Sequence, residues 1–143
     1  MKQLAFGLLL LALWSSDARA HGDEYFATHP TPHGGQMRMA GPYHLELLVD
    51  KDELTLYVTD HSGGTVDTAG GSAKVIITSG RKKRYVVILS AAGENALSGS
   101  GEFKLAKSST ASVLVALPDQ EPQRAKFTLK APAKSAKKLH KHH

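Results

Sequence analysis

The chain has 143 residues, with 18 lysines and arginines, 13 aspartates and glutamates, eight histidines and no cysteine. The lack of cysteine excludes a disulfide framework and thiolate chemistry, so any metal must be held by histidine, carboxylate, thioether or backbone groups. The formal net charge is +5, but five lysines fall within the last fourteen residues. The body of the chain is therefore near neutral, and the composition does not indicate a nucleic-acid-binding face.

The first twenty residues have the pattern of a cleavable secretory signal. Lys2 gives a positive start, an apolar run covers residues 4–14, and residues 18–20 (Ala-Arg-Ala) form a small-residue cleavage site. Cleavage there leaves a mature chain of 123 residues that begins with His21, which suits one domain with a real core. The apolar run is far shorter than the roughly 20 residues that span a bilayer. We therefore expect a periplasmic or secreted protein with no transmembrane segment after cleavage.

The mature chain divides into three parts. Residues 21–42 are rich in proline and glycine without a sustained period, which predicts an extended leader. Residues 43–130 alternate β-branched and aliphatic residues between turns, which predicts strands at 43–49, 54–59, 73–78, 83–90, 101–106, 112–117 and 124–129. About seven strands in one domain predict an all-β, immunoglobulin-like sandwich. Residues 131–143 are too polar to pack, which predicts a disordered tail.

The first two predicted strands form a hairpin whose register follows from the pattern. Pairing residue 49 with 54, residue 47 with 56 and residue 45 with 58 places six apolar side chains on one face. Later in the chain, Val86, Ile88 and Leu114 lie on the opposite face from the core-facing residues of their strands. Two interpretations follow: these strands are covered on both sides, which we favour, or the second face meets a partner.

Histidines fall in three zones of the mature chain: the leader (His21, His29, His33), the hairpin (His44, His61) and the tail (His140, His142, His143). In the predicted register His44 lies opposite Thr59, and His61 lies two residues further along the same outward face. Such a diagonal pair has Cα atoms roughly 7–8 Å apart, so both imidazoles can reach one copper, zinc or nickel ion. His33 lies just upstream, and the two glycines after it allow the chain to fold back over the sheet end. Asp60 is a candidate to complete the shell or orient a ring.

Further candidate ligands lie in the leader and the tail. A mature N-terminal His21 can chelate copper through its amine and Nδ1, with His29, His33 or His44 as the third ligand. Met37 and Met39 carry thioethers that favour Cu(I), although methionines more often fill cores. The tail histidines form either a metal-capture segment, which we favour, or an artefact of expression. No catalytic motif is present, so we do not expect an enzyme.

The stretch from His33 through the hairpin to Asp60 and His61 resembles small exported proteins found beside heavy-metal efflux systems. It is also similar to the β-domain of periplasmic adaptors of cobalt-zinc-cadmium or copper-silver exporters. This resemblance covers about residues 33–130 and implies a periplasmic immunoglobulin-like domain in metal resistance, with His33, His44 and His61 as the positions carried over. A weaker resemblance, to copper carriers of the CopC type, rests on His21 and the architecture, and the methionine-rich loop of some such carriers is absent.

Two hypotheses follow. In the first, the protein is a periplasmic metal-binding protein that buffers or delivers copper, or secondly zinc, in heavy-metal efflux. In the second, it is an interaction module that docks on an efflux adaptor or another envelope protein, and the histidines are incidental.

Overall fold

The computed structural model describes residues 25–130 and shows an all-β protein. One helical turn at residues 25–28 precedes eight strands. The strands are β1 (Gln36–Ala40), β2 (Tyr43–Asp50), β3 (Glu53–Asp60), β4 (Ser72–Ser79), β5 (Lys83–Ala91), β6 (Ala96–Ser100), β7 (Ser109–Ala116) and β8 (Gln123–Leu129). The predicted signal segment and tail lie outside the described residues.

The eight strands form one antiparallel sheet in the order β1-β2-β3-β6-β5-β4-β7-β8. Its two edge strands approach each other, and the backbone N–H of Thr128 on β8 donates a hydrogen bond to Oε1 of Gln36 on β1 at 2.9 Å. The sheet is thus nearly closed into a barrel. The predicted all-β class is confirmed, whereas the two-sheet immunoglobulin-like sandwich is not.

The core lies on the concave face of this sheet, where alternate residues of every strand point inward. Phe127, Leu45, Leu54 and Leu56 are among the largest fully buried side chains. Each such residue contributes about 1.5–3 kcal/mol relative to an exposed position. The alternation of buried and exposed residues therefore fixes which side chains remain on the outer face.

The hairpin of β2 and β3 has the predicted register. Val49 pairs with Leu54, Leu47 with Leu56 and Leu45 with Val58, and these six residues face the core. The connection is a two-residue turn in which Lys51 has φ 55°, shorter than the four polar residues suggested. Since the register is correct, His44 does lie opposite Thr59 on the outer face.

Two predicted segments are wrong. The predicted leader at 21–42 is not without regular structure, because residues 36–40 form β1 and pair with β2. The strand expected at 101–106 is absent, and residues 96–100 form β6 in its place. Gly99 allows this, since a side chain at that position would collide with the carbonyl oxygen of Ile88 on β5. The other four predicted strands correspond to β4, β5, β7 and β8 with small shifts at their ends.

The outer face of β5 is open to solvent. Val86 is 57% exposed and Ile88 is 60% exposed. The preferred interpretation, that these strands are covered on both sides, is therefore wrong for these two residues. Among residues 25–130, the structure contains no helix that is long and apolar enough to cross a bilayer.

Candidate metal centre

Two histidines meet on the outer face of the β2–β3 hairpin. His44 lies on β2, and His61 follows directly after the last residue of β3. Their ring centroids are 4.7 Å apart, and the ring planes make an angle of 78°. The predicted diagonal pair therefore exists as a direct ring contact.

This separation suits two imidazoles on one metal ion. A metal–nitrogen bond of about 2.1 Å places each ring centre about 3.2 Å from the metal, so two rings at about 90–110° around one ion have centres about 4.5–5.2 Å apart. The observed distance of 4.7 Å falls within that range. The separation of the two ring centres is thus compatible with one shared ion.

His61 is held in place through one of its ring nitrogens. Its Nε2 donates a hydrogen bond to the carbonyl oxygen of Gly41 at 2.9 Å. Metal-binding histidines commonly donate their second ring N–H to a carbonyl or carboxylate, which fixes the tautomer and the ring orientation. This bond assigns the proton to Nε2 and makes Nδ1 of His61 the nitrogen that can bind metal.

Asp60, predicted to complete the metal shell or to orient a ring, orders the loop that carries His61. Its Oδ1 accepts hydrogen bonds from the Ser62 hydroxyl at 2.7 Å, the Ser62 amide at 2.9 Å and the Gly64 amide at 2.8 Å. The hydroxyl of Ser62 is the main cause that lowers the pKa of this carboxyl group, and the Gly64 amide adds to it. The carboxylate thus remains ionised and fixes the turn after β3.

The surroundings of His44 favour its neutral form. Partial burial lowers the pKa of His44, nearby His61 lowers it further, and Asp60 opposes the change without cancelling it. Only the neutral imidazole binds a metal. Because its pKa lies below the ordinary histidine value, His44 remains neutral, and so able to bind metal, to a lower pH than an ordinary histidine.

The segment before β1 covers part of this site. The ring of Phe26 packs edge-on against His44 with centroids 4.9 Å apart. His29 does not join the pair, since it stacks on Tyr25 at 3.7 Å and its Nδ1 lies 2.7 Å from the carbonyl oxygen of Tyr25. An aromatic side chain, and not a third imidazole, therefore flanks His44.

His33 is also placed elsewhere, beside a buried carboxylate. Its Nδ1–H donates to Glu46 Oε1 at 2.8 Å, while the amides of His33 and Gly35 donate to Oε2 at 3.0 and 2.9 Å. The ring stacks on Tyr57 with centroids 3.6 Å apart. The expected fold-back at Gly34 and Gly35 does occur, but it joins the chain to the face of β2 and β3 and does not bring His33 to the pair.

Glu46 is the residue of this site that the sequence analysis missed. It is only 1% exposed although it lies on the outer face of the sheet. Burial raises the pKa of a carboxyl group, but the hydrogen bonds from His33 and from the backbone outweigh this and hold the pKa of Glu46 below its usual value. The one available signal was a charged residue in register with Tyr57, and nothing in the sequence indicated that the leader would cover it.

The methionines of β1 lie on the same outer face. The register pairs Met39 with His44 and Met37 with Glu46. Directly paired residues of antiparallel strands have Cβ atoms about 4.5–5.5 Å apart on one face of the sheet. Met37 is buried, whereas Met39 is partly exposed next to the histidine pair. Met39 is thus the methionine that lies directly beside His44 in the sheet.

Within the described part of the chain, no three histidine, aspartate or glutamate side chains lie together as a metal-binding group. His21, His140, His142 and His143 lie outside the described residues. The described site therefore consists of two imidazoles with a thioether beside them.

Comparisons of the chain with protein-family models, with curated proteins and with solved structures find no significant match.

Proposed function

We propose that this protein is exported and binds a transition metal, copper first and zinc second, as a periplasmic buffer or carrier and not as an enzyme. The observation that carries the proposal is the contact between His44 and His61 at a ring separation of 4.7 Å, which suits one shared ion. The resemblance to proteins found beside heavy-metal efflux systems supports a periplasmic role in metal resistance. The immunoglobulin-like class that this resemblance implies is part of our proposal.

Met39 is the third ligand that the register favours. Two imidazoles and one thioether make a soft donor set, and thioethers select Cu(I) over zinc. His61 is exposed, and the three ligands come from three different strands or strand ends. Such a site can pass its ion to an acceptor without unfolding.

His21 is a second source of ligands for Cu(II). Four residues lie between it and Phe26, and the five residue-to-residue steps span at most about 17–18 Å. Since Phe26 contacts His44, the histidine pair lies within reach of a mature N-terminus at His21. Its amine and imidazole would then complete a four-nitrogen set, for which the geometry of Cu(II) is well suited.

Calorimetric titration of the mature protein with Cu(II) and Zn(II) tests the proposal. The titration uses a background in which His140, His142 and His143 are alanine, so that tail binding does not hide the site. We expect affinity to fall at least about tenfold in the His44→Ala, His61→Ala double variant. The matched control is His29→Ala, which removes an imidazole outside the pair and is expected to leave affinity unchanged. No binding tighter than millimolar in the unmutated background would refute the proposal.

A further inference from the structure

A second outer surface lies on the four strands β5, β4, β7 and β8. The registers place two rows across it: one contains Ile88, Lys74, Leu114 and Arg124, and the other contains Val86, Ile76, Ser112 and Lys126. We call this surface the basic face. It carries none of the residues of the metal site, so it stands on independent observations.

The basic face combines exposed apolar groups with a groove. Val86 and Ile88 are more than half exposed. Beside them a groove of about 470 Å³ is lined by Lys74, Ile76, Ser112, Leu114, Arg124 and Lys126. Adjacent strands are about 4.8 Å apart, so four strands make a surface about 14 Å wide. This width accommodates an extended chain.

Charge on this surface has one sign. The four strands contain five lysines and arginines, of which all but Lys83 lie on this face, and no aspartate or glutamate. Among residues 25–130, none of these cations forms an ion pair. In contrast, β2 and β3 carry four acidic residues. The electrostatic complement of the basic face is therefore an acidic ligand.

Two occupants from this chain fit poorly. Residues 131–143 contain four lysines and no acidic residue, so the tail would meet like charge. A second copy of the chain, related by a two-fold axis, would place one basic face against another. Like charges in such contact cost free energy.

We propose that the basic face docks an extended acidic segment of a partner protein. Carboxylates of that segment meet Lys74, Arg124 and Lys126, and its aliphatic side chains cover Ile88 and Leu114. No aromatic side chain points outward from these four strands, whereas bilayer-surface binding generally uses Trp or Tyr at the interface. The small contact area predicts weak, salt-dependent binding, typical of transient partners.

Fluorescence anisotropy with a synthetic peptide tests this proposal. The probe is a fluorescein-labelled peptide of about eight residues with the pattern Glu-Glu-Leu-Leu repeated, a length typical of one strand. Because side chains of an extended chain alternate between two faces, each face of this peptide presents both Glu and Leu. We expect a micromolar dissociation constant at low salt, and at least about tenfold weaker binding by the Lys74→Glu, Arg124→Glu double variant. The control, Lys104→Glu with Lys107→Glu, changes net charge equally outside the basic face and is expected to preserve binding.

Two further binding measurements distinguish docking on the basic face from attraction between opposite charges alone. Ile88→Ser keeps every charge, and we expect it to weaken binding, as should a peptide with Ser in place of Leu. Equal losses in both charge-reversal variants, or no peptide binding, would overturn the proposal. Binding to phosphatidylglycerol vesicles without binding to the peptide would overturn it in favour of a lipid surface.

Discussion

Replacing Glu46 by alanine is expected to loosen the segment before β1 from the sheet. The carboxylate accepts three hydrogen bonds, from the amides of His33 and Gly35 and from the His33 ring. With the side chain removed, two partly buried backbone N–H groups lose their acceptor. The chain segment that carries Phe26 to His44 would then lose its main polar attachment.

The size of the effect follows from these bonds. Hydrogen bonds to a charged group contribute about 1.5–3 kcal/mol each. The His33 ring is 39% exposed, so it can hydrogen-bond to water when the carboxylate is removed. We therefore expect the free energy of unfolding to fall by roughly 2–4 kcal/mol. For a domain of this size, such a loss lowers Tm by roughly 8–16 °C.

The pH dependence gives an independent check. The folded-state pKa of Glu46 lies below its ordinary value of 4.5. A depressed carboxyl pKa contributes stability that is fully present above the unfolded value and is lost as pH falls through the folded value. The gap between the wild type and Glu46→Gln should thus be constant at neutral pH and narrow below about pH 4.5.

Urea unfolding followed by circular dichroism measures both effects. The control is Glu102→Ala, which removes the same charge from an exposed position and is expected to change stability by less than about 0.5 kcal/mol. If Glu46→Ala behaved like this control, or if the gap to Glu46→Gln did not change with pH, the reasoning would be refuted.

Three further predictions concern the metal site and its attachment. An NMR titration of the His44 ring should give a midpoint below the ordinary value of 6.5. His61→Ala should move this midpoint upward, because a like charge is removed. A midpoint that stayed the same in His61→Ala would contradict the contribution of His61 to the pKa of His44. Met39→Leu should weaken Cu(I) binding at least about tenfold in a competition assay with a colorimetric chelator while zinc affinity stays within about threefold, since only the sulfur is lost. Gly35→Ala should lower the free energy of unfolding by at least about 2 kcal/mol, because its Cβ would lie 2.5 Å from a carbonyl oxygen of β2. The control Gly93→Ala makes only an ordinary contact at 3.7 Å and should cost far less. Equal losses of the two variants in urea unfolding would contradict this prediction.

The hairpin was predictable because two constraints agree there. Its six apolar residues alternate with period two, and a short polar turn joins them, so only one register places them all on the core face. The position of His44 opposite Thr59 followed from that register alone. The contact with His61 required only that the strand direction continue for two more residues.

Other features depend on packing that the pattern does not contain. In β1, two methionines alternate with polar residues, but the strand has only five residues within a stretch rich in proline and glycine, so the alternation is too short to mark a strand. In β6, the small residues Ser98 and Gly99 serve close backbone approach and give no hydrophobic signal, whereas Phe103 and Leu105 alternate without pairing in a strand. Glu46 could not be recognised as buried, because the chain segment that covers it is held by Glu46 itself.

The central claim is that one metal ion binds between His44 and His61 with Met39 beside them. X-ray absorption spectroscopy of the Cu(I)-loaded mature protein, with the tail histidines replaced by alanine, tests this most directly. The account predicts two imidazole nitrogens at about 2.0 Å and one sulfur at about 2.3 Å from copper, with the sulfur lost in Met39→Leu. A copper spectrum without imidazole scattering, or one unchanged by the His44→Ala, His61→Ala double variant, would contradict it.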